Sequence, residues 1–451
     1  MSRLVETATR RLRSLLGRGS RHRDRLDDVE ITIVVSGVRG KSSATRYLYE
    51  AFERRGYDVL AKITGNHPKC LRDGEQHPID REGSVTLYEN ERELREHGTP
   101  EVLILENQAI SDYTNWVFNR YFADPDVVLF TNVRQDHRDT LGRDRTAIAQ
   151  ALARSVPEGT RVISGEQDER IRSVLSGELN RRNCPLTHVS LPDSRESIPG
   201  AEVVYAVDAL IHRVEGEPIG GRVLEGYLEE MDVEWTQLPQ GRVFNAASVN
   251  DVESTEAIRR SLARQNAPVI EPVVYLRRDR RARSDAFVSY LDALAEDGAI
   301  ERAHVVGENT DPFARKADFP VVENEPDADA DRVLDEALEG GRPVVLMGNT
   351  VAGFMRDVET AIEERVAARQ QIEHGPAAGD VGSDDAGPDP IDLDDIDAST
   401  AGGGSARDEK DSSQTTSDDV DRRQDGDRPG GERGIAKRPR PAGPTFGDTD
   451  D

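Results

Sequence analysis

The sequence predicts an α/β protein built on parallel sheets, and three patterns indicate this fold class. Short apolar runs alternate with helix-length segments across residues 29–368. The first run leads into a glycine turn followed by a lysine and a serine. Each later run precedes a stretch long enough for a helix. This alternation is typical of parallel strands that are joined by crossover helices. The predicted strands are 31–35, 102–105, 127–131, 161–164, 273–276, 304–306 and 344–347.

The basic segment before the first strand, residues 1–28, predicts an amphipathic helix. Its first 25 residues contain eight arginines and two acidic residues. Its apolar residues fall on one helical face and are Leu4, Val5, Ala8, Leu12, Leu15 and Leu16. Such a helix suits either an anionic membrane surface or packing against its own protein, and the pattern leaves both alternatives open.

The glycine turn after the first strand is the clearest site signal. It reads Gly37-Val-Arg-Gly-Lys-Ser42 and precedes a helix-compatible stretch. Backbone N–H groups of such a turn and the positive end of the helix face phosphates, the Lys41 ammonium adds charge, and the Ser42 hydroxyl can bind Mg²⁺. The general P-loop pattern would have glycine where Val35 stands. The alternative is an ordinary strand-to-helix turn with an exposed lysine.

Two further strand ends carry metal-binding side chains. Glu106 ends the strand predicted at 102–105, and His137 follows the strand at 127–131 within Asn132-Val-Arg-Gln-Asp-His-Arg-Asp139. In doubly wound sheets, ligands bind at the carboxyl ends of the strands. We therefore expect these side chains to face Lys41 and Ser42 around Mg²⁺.

The remaining chain divides into a larger and a smaller part. A break in the strand pattern near 230–245 separates a P-loop ATP-binding domain, 29–235, from an α/β domain, 236–370. Residues 371–451 are rich in Gly, Ser, Asp and Pro, with Phe446 as the only aromatic residue. Such a segment cannot bury enough apolar surface to offset its ordering entropy, so we predict a disordered acidic tail.

The amino-acid composition indicates the solvent conditions and the cellular compartment in which the protein works. The 451 residues include 86 acidic and 59 basic ones, a net charge of −27, and only six of the basic residues are lysine. A carboxylate-rich, lysine-poor surface stays hydrated in molar salt, so we expect a halophilic, haloarchaeal source and no nucleic-acid partner. Two cysteines, no membrane span and no signal peptide predict a cytoplasmic protein.

Seven sequence runs, in order across residues 29–368, resemble the Mur ligase superfamily. Within it, the match is to the ATPase–ligase subunit of poly-γ-glutamate synthase, the PgsB or CapB type. The runs are Ser36-Gly-Val-Arg-Gly-Lys-Ser-Ser-Ala-Thr-Arg46, Gly56-Tyr-Asp-Val-Leu-Ala-Lys-Ile-Thr-Gly65, Asn132-Val-Arg-Gln-Asp-His-Arg-Asp-Thr-Leu-Gly142, Asn250-Asp-Val-Glu-Ser-Thr255, Arg277-Arg-Asp-Arg-Arg-Ala-Arg283, Val306-Gly-Glu-Asn-Thr310 and Met347-Gly-Asn-Thr350.

The resemblance implies a central P-loop ATPase domain of Mur ligase type and a smaller, Rossmann-like C-terminal domain. It also implies roles for individual residues. The residues that would contact ATP are Gly37, Arg39, Gly40, Lys41, Ser42, Ser43, Asn250 and Asp251, and those that would bind Mg²⁺ are Ser42, Glu106 and His137. The catalytic residues would be Lys41, His137 and Arg280. The substrate would be bound by Lys62, Thr64, Arg277 and Arg283. The arginines of 277–283 could instead form a solvated, salt-linked face.

The implied activity is ATP-dependent amide formation, in which a glutamate carboxylate is activated as an acyl phosphate and joined to a glutamate amine. Its partners would be glutamate or a poly-γ-glutamate chain, a membrane-embedded synthase subunit of the PgsC or CapC type, and further copies of the same chain. The protein would then be cytoplasmic or held at the inner face of the membrane. Two alternatives stay open: another γ-glutamyl or amino-acid ligase of the superfamily, and a non-catalytic ATP switch for a membrane export partner.

Overall fold

The computed structural model describes residues 17–65, 68–81, 85–134, 142–249, 251–264, 269–278, 280–348 and 353–374. These residues contain two sheets, of eight and six strands. The strands of the first sheet are β1 Ile31–Ser36, β2 Val59–Ile63, β3 Lys69–Arg72, β4 Glu75–Pro78, β5 Val102–Glu106, β6 Val127–Phe130, β7 Arg161–Ser164 and β8 Leu186–His188. Those of the second are β9 Thr236–Leu238, β10 Gly241–Asn245, β11 Glu271–Leu276, β12 Ala303–Gly307, β13 Val321–Asn324 and β14 Val344–Met347.

The described α-helices, numbered here in chain order, lie before, between and after the strands. They are α1 Arg18–Asp28, α2 Lys41–Arg54, α3 Tyr88–His97, α4 Asp112–Val117, α5 Arg145–Ser155, α6 Glu169–Asn180, α7 Ala201–Glu215, α8 Gly221–Met231, α9 Val252–Ala263, α10 Arg281–Glu296, α11 Thr310–Ala314, α12 Ala330–Leu338 and α13 Gly353–His374. A π-helix, Phe118–Ala123, follows α4, and 3₁₀ turns occur at Asp193–Arg195 and Ala247–Val249.

Both sheets are mainly parallel. The first has the order β4-β3-β2-β5-β1-β6-β7-β8, in which β3 and β4 form an antiparallel edge hairpin against β2. The second has the order β13-β12-β11-β14-β10-β9, in which β9 pairs antiparallel with β10. The predicted α/β class with parallel sheets is confirmed, and antiparallel strands occur only at sheet edges within the described residues.

Apolar side chains alternate between the two faces of each sheet. In β1, Ile33 and Val35 belong to the core that includes α2, α7 and α8, whereas Val34 belongs to the core that includes α5 and α6. In β14, Val345 and Leu346 likewise belong to different cores of the second sheet. Helices cover both faces, which explains why these central strands read as continuous apolar runs.

Aspartate N-caps fix where several helices begin. Asp144, Asp168, Asp251 and Asp329 each accept hydrogen bonds from backbone N–H groups in the first turn of the helix that follows. A side-chain carboxylate there satisfies donors that have no partner within the helix and interacts favourably with the helix dipole. One of these caps, Asp251 of α9, forms an ion pair with Arg39 of the glycine turn.

All seven predicted strands are present, and the hairpin β9–β10, which was not predicted, lies at the predicted boundary near residues 230–245. Residues 236–245 pair with each other, and β10 also pairs with β14. The sequence pattern of these two strands is weak because polar residues and a Pro-Gln-Gly turn interrupt it. Strands β2, β3, β4, β8 and β13 were also not predicted.

Helix α1 covers the end of the predicted basic segment. Its Leu26 is buried, its His22 Nε2 lies 3.0 Å from the Phe122 carbonyl oxygen, and its Arg18 pairs with Glu91. This part of the segment therefore packs against its own protein. The predicted apolar face from Leu4 to Leu16 lies outside the described residues. Of the tail predicted over 371–451, residues 371–374 instead end helix α13, and the rest lies outside the described residues.

Candidate active site

The glycine turn lies where β1 ends and α2 begins. Gly37 and Gly40 have φ angles of 113° and 77°, which favour glycine. A Cβ on Gly37 would lie 2.3 Å from Thr131 Oγ1, and one on Gly40 would lie 2.6 Å from Val203 Cγ2. Both glycines are therefore required by close packing against the end of β6 and against α7, as well as by their backbone conformation.

Lys41 is the first residue of α2 and its ammonium group lies over the turn. Its Nζ donates to the carbonyl oxygens of Gly37 and Val38, both at 3.1 Å. The positive charge is therefore held beside the helix N-terminus, where backbone N–H groups are also available to an anion. This combination of a lysine, a glycine turn and a helix start is suited to binding phosphate groups.

Ser42 and Glu106 meet across the ends of β1 and β5. The Ser42 hydroxyl lies 3.1 Å from both carboxylate oxygens of Glu106, and the Thr64 backbone N–H donates to Glu106 Oε2 at 2.8 Å. Glu106 is only 4% exposed. The site thus offers a hydroxyl and a fixed carboxylate side by side, which is the type of oxygen ligand that Mg²⁺ prefers.

Two asparagines that were not predicted as site residues fix the neighbouring strand ends. Asn107 Nδ2 donates to Ser36 Oγ at 2.8 Å, and Asn132 Oδ1 accepts from the Arg39 backbone N–H at 3.0 Å. Both are nearly fully buried. Each follows an apolar strand directly, and that position was the sequence signal that could have identified them.

A cavity of about 860 Å³ opens in front of the turn. One wall comes from the turn itself and from the ends of β2 and β5. The other wall includes Phe244, Val249, Ser254 and Ile258 from the second sheet and its first helix. A ligand bound by the turn would therefore contact residues associated with both sheets.

Side chains from the glycine turn and from α9 also contact each other directly. Arg39 Nε lies 2.7 Å from Asp251 Oδ2, and Arg134 Nη1 donates to Ser254 Oγ at 2.6 Å. Burial raises the pKa of the Glu253 carboxyl, an effect that Arg145 opposes. The N-terminus of α9 is thus connected by charged and polar contacts to the glycine turn and to the loop after β6.

Lys62 lies in the middle of β2 and is 1% exposed. Its Nζ lies 2.8 Å from Glu89 Oε1 and donates to Gln108 Oε1 at 2.7 Å. Gln108 lines the cavity, as does the other predicted substrate residue of this region, Thr64. The ammonium of Lys62 therefore reaches the cavity wall through Gln108 while its charge is paired with Glu89.

The predicted arginine cluster lies at the carboxyl end of β11. Arg277 follows this strand, Arg280 is the N-cap residue of α10, and Arg283 lies in the first turn of that helix. Among the described residues that line the cavity, none comes from 277–283. Predicted site residues His137 and Asn250 lie outside the described residues.

Solved structures with a similar fold include FolC and MurF proteins. FolC of Escherichia coli in complex with ADP superposes with a TM-score of 0.54 at 16% identity, covering 79% of this chain and 94% of that one. MurF of Acinetobacter baumannii superposes with a TM-score of 0.53 at 14% identity, covering 77% and 80%. At such identities the likeness establishes the fold alone.

Comparison of sequences identifies more specific similarities than comparison of folds. Residues 233–365 match the family described as the poly-gamma-glutamate synthase CapB C-terminal domain. The PGA synthase CapB of Bacillus subtilis (strain 168) is 24% identical over 322 residues, which covers 65% of this chain and 79% of the relative. Over residues 233–365 this chain is therefore similar to the CapB C-terminal domain, and its fold is similar to that of FolC and MurF.

A second CapB protein matches a shorter stretch. The capsule biosynthesis protein CapB of Bacillus anthracis is 26% identical over 152 residues, or 33% of each chain. The match to the CapB C-terminal domain begins at Val233, just before β9, and includes every described strand of the second sheet. The similarity to the CapB C-terminal domain therefore covers the second wall of the cavity as well as the sheet that bears the arginine cluster.

Proposed function

We propose that this chain is an ATP-dependent amide ligase that joins glutamate residues during poly-γ-glutamate synthesis. The observation that carries the proposal is the Ser42–Glu106 pair beside the glycine turn, at the edge of a cavity shared by both sheets. The name of the Bacillus subtilis relative, PGA synthase CapB, supports the polymer as product class.

The residues present fit a nucleotide triphosphate and Mg²⁺. A Cβ at Gly37 or Gly40 would collide with neighbouring atoms, so the turn needs residues without side chains and keeps its backbone accessible on the cavity side. Arg39, Lys41 and Ser43 line the same cavity, and Ser42 with Glu106 provides hard oxygen donors. ATP supplies the phosphoryl group that activates a carboxylate, and Mg²⁺ neutralises charge on the phosphates.

The chemistry needs positioning more than reactive side chains. A glutamate carboxylate oxygen bonds to the γ-phosphorus and ADP leaves; the amine of the next glutamate then bonds to the carbonyl carbon, losing a proton as phosphate leaves. Lys41 stabilises negative charge at the turn, and Glu106 fixes the Ser42 hydroxyl. The facing wall from the second sheet limits the access of water to the activated carboxylate.

The proposal also gives roles to the other predicted residues, of which the arginines of 277–283 do not line the described cavity. His137 would bind a second Mg²⁺ near the acceptor, and Asn250 with Asp251 would lie near the adenosine. Arg277, Arg280 and Arg283 would bind the anionic glutamate chain, with Arg280 as a catalytic cation. Lys62 would act on the substrate through Gln108, since its own ammonium is paired with Glu89, and Thr64 would contact the substrate directly.

In this proposal the chain works as one subunit of a membrane-associated synthase. Within the described part of the chain, no helix is both long and apolar enough to span a bilayer. We propose that a membrane-embedded subunit of the PgsC or CapC type receives the growing chain at the inner face of the membrane, and that copies of this chain associate with one another.

The test is ADP release in about 2 M KCl with Mg²⁺, with and without glutamate or a short γ-glutamyl oligomer. We expect stimulation by one of these acceptors, together with a hydroxamate when hydroxylamine is added to trap an acyl phosphate. Product length separates a polymerase from a ligase that adds a single residue. ATP turnover that ignores both acceptors and yields no hydroxamate would overturn the proposal and favour an ATP switch.

A further inference from the structure

A cluster of potential metal ligands lies outside the candidate active site, between the edge hairpin β3–β4 and helix α3. Cys70 on β3 and His77 on β4 are direct partners in the antiparallel register. Glu93 and His97 lie one turn apart on α3 and therefore on the same helix face. Four side chains of metal-binding type are thus brought together by a hairpin and one helix.

The distances within the cluster resemble the edges of a coordination tetrahedron. Cys70 Sγ and His97 Nε2 each lie 3.6 Å from Glu93 Oε2. The ligand atoms of Cys70, Glu93 and His97 all lie within 4.8 Å of one another. Zinc bonds of about 2.3 Å to sulfur and about 2.0 Å to nitrogen or oxygen give tetrahedral edges of about 3.3–3.5 Å. Small side-chain movements would therefore accommodate an ion.

His77 lies beside this three-residue cluster without belonging to it, so a rotation of its side chain is needed to bring a ring nitrogen into the set. Its ring centroid lies 4.9 Å from that of His97. Directly opposed residues in an antiparallel pair also project their side chains to the same face of the sheet, about 5 Å apart. His77 therefore lies next to both Cys70 and His97.

We propose that Cys70, His77, Glu93 and His97 form a zinc site that fastens the β3–β4 hairpin to α3. Thiolate and imidazole donors with one carboxylate are a ligand set that zinc accepts, and the negative charges of Cys70 and Glu93 balance its double positive charge. Cys70 and Glu93 are 0% and 6% exposed. Four protein ligands leave no open position, so the role is structural rather than catalytic.

The surroundings support a fixed ligand geometry. Arg92 Nε donates to Glu93 Oε1 at 2.8 Å, which leaves Oε2 directed at the cluster. Outer contacts of this kind orient metal ligands in known sites. One turn before Glu93, the Glu89 carboxylate binds both Lys62 and Arg81. A metal ion that holds α3 in place would thereby also hold the carboxylate that pairs with Lys62.

The experiment measures zinc by elemental analysis in the untagged full-length protein, and then follows Co²⁺ uptake by absorption. We expect about one zinc per chain, and a thiolate-to-cobalt charge-transfer band when Co²⁺ replaces it. The band is diagnostic because the sequence contains only two cysteines. Absence of both stoichiometric zinc and the band in the unsubstituted protein would overturn the proposal.

Cys184→Ser is the matched control for Cys70→Ser. Cys184 is also buried, but its Sγ donates to the Pro157 carbonyl oxygen at 3.2 Å, and the described residues place no metal-binding cluster around it. We expect C70S to lose the band and C184S to keep it; the reverse pattern would overturn the proposal.

If C70S does not fold, H77A replaces it as the test variant, since His77 is half-buried. We expect H77A to bind Co²⁺ more weakly and with a shifted absorption spectrum. An H77A complex that is unchanged in both affinity and spectrum would exclude the four-ligand site.

Discussion

At the scale of single residues, the candidate site depends on side chains whose positions are fixed by backbone groups. Glu106 is held by the Thr64 N–H and the Ser42 hydroxyl, and Lys41 by two carbonyl oxygens of the turn. Such pre-positioned groups lose little free energy in reorganisation when charge develops nearby. Their removal should therefore change catalysis far more than folding.

Lys41→Ala tests the phosphate-binding turn. We expect ATP turnover to fall by about 10²-fold or more, because a preorganised positive charge beside the phosphates is lost. Steady-state ADP release measures this, and circular dichroism checks the fold. Lys316→Ala is the matched control, since that lysine is mostly exposed and pairs with Asp285. Near-normal turnover in K41A would contradict the assignment of the turn.

Glu106→Gln tests the metal ligand while preserving side-chain shape. The amide oxygen can still accept from the Thr64 N–H, so we expect a folded protein. Loss of the negative charge should raise the Mg²⁺ concentration needed for half-maximal activity, because Mg²⁺ prefers carboxylate ligands. A Mg²⁺ titration of ADP release provides the measurement. An unchanged Mg²⁺ requirement would place the ion elsewhere.

At the scale of elements, β2 and α3 are joined by a buried ion pair. Burial alone would raise the pKa of Glu89, but hydrogen bonds and charge from Arg81 and Lys62 lower it to about 2 from 4.5. A lowered carboxyl pKa means that the folded state favours the ionised form. This stabilisation is therefore present above about pH 4.5 and is lost as the pH falls towards 2.

Glu89→Gln should accordingly make the free energy of unfolding less dependent on pH in the acid range. Ionised Glu89 therefore contributes to the free energy of unfolding at neutral pH, and the pKa of Lys62, which burial lowers, offsets part of this contribution. In the variant, we expect lower stability at pH 7 and a shallower decline between pH 4.5 and 2. Urea unfolding at a series of pH values measures both. Parallel pH profiles for the two proteins would show that Glu89 contributes no such linkage.

At the scale of the whole molecule, the two sheets are linked by contacts at the glycine turn as well as by the chain itself. Arg39 belongs to the turn, and its partner Asp251 begins α9. Ligand binding at the turn and the position of the second sheet should therefore be coupled. The second wall of the cavity depends on the same helix, through Ser254 and Ile258.

A double-mutant cycle with Arg39→Met and Asp251→Asn measures this coupling. Asparagine caps helices about as well as aspartate, so D251N removes the charge and keeps the N-cap. We expect a higher KM for ATP in each single variant and a coupling energy of about 0.5–3 kcal/mol. Asp329→Asn is the control, because it changes the same type of cap on α12, away from the turn. Additive effects would show that the two residues act independently.

The charge of the whole chain predicts its response to salt. With a net charge of −27, mutual repulsion of carboxylates should destabilise the folded state in dilute buffer. Salt screens this repulsion, although it also weakens exposed ion pairs such as Arg332–Glu336. We expect the repulsion to dominate, so that Tm rises between about 0.1 and 2 M KCl. Equal or greater stability at low salt would contradict the halophilic interpretation.

The sequence predicted those parts of the fold that depend on local pattern. Strands β7 and β14 were predicted with the bounds they have, because apolar runs between turns define them. Strand β2 was not, since Lys62 interrupts its apolar run and the partner that compensates the charge, Glu89, lies on a different element. The hairpin β3–β4 is short and largely polar on its outer strand, so its residues resemble a loop.

In the candidate site too, the sequence predicted the features that depend on local pattern and not the contacts between distant residues. Ser42 and Glu106 were predictable because both follow apolar strands whose carboxyl ends meet in a parallel sheet. Arg39 and Asp251 were each predicted to contact ATP, but their mutual contact was not, because it joins positions 212 residues apart. The metal-ligand cluster was missed for a similar reason: its residues are unremarkable along the chain until the hairpin and α3 bring them together.

The burial of Lys62 also makes the chain suitable for footprinting with amine-reactive reagents. In the first sheet and its helices, the described lysines are Lys41, Lys62 and Lys69, and only Lys62 is fully buried. Nucleotide binding should then appear as protection of Lys41, with Lys69 as an internal reference in the same mass spectrum. Modification of Lys62 would report a different event, the transient separation of β2 from α3. Occupancy of the turn and local opening could therefore be followed in one sample without measuring turnover.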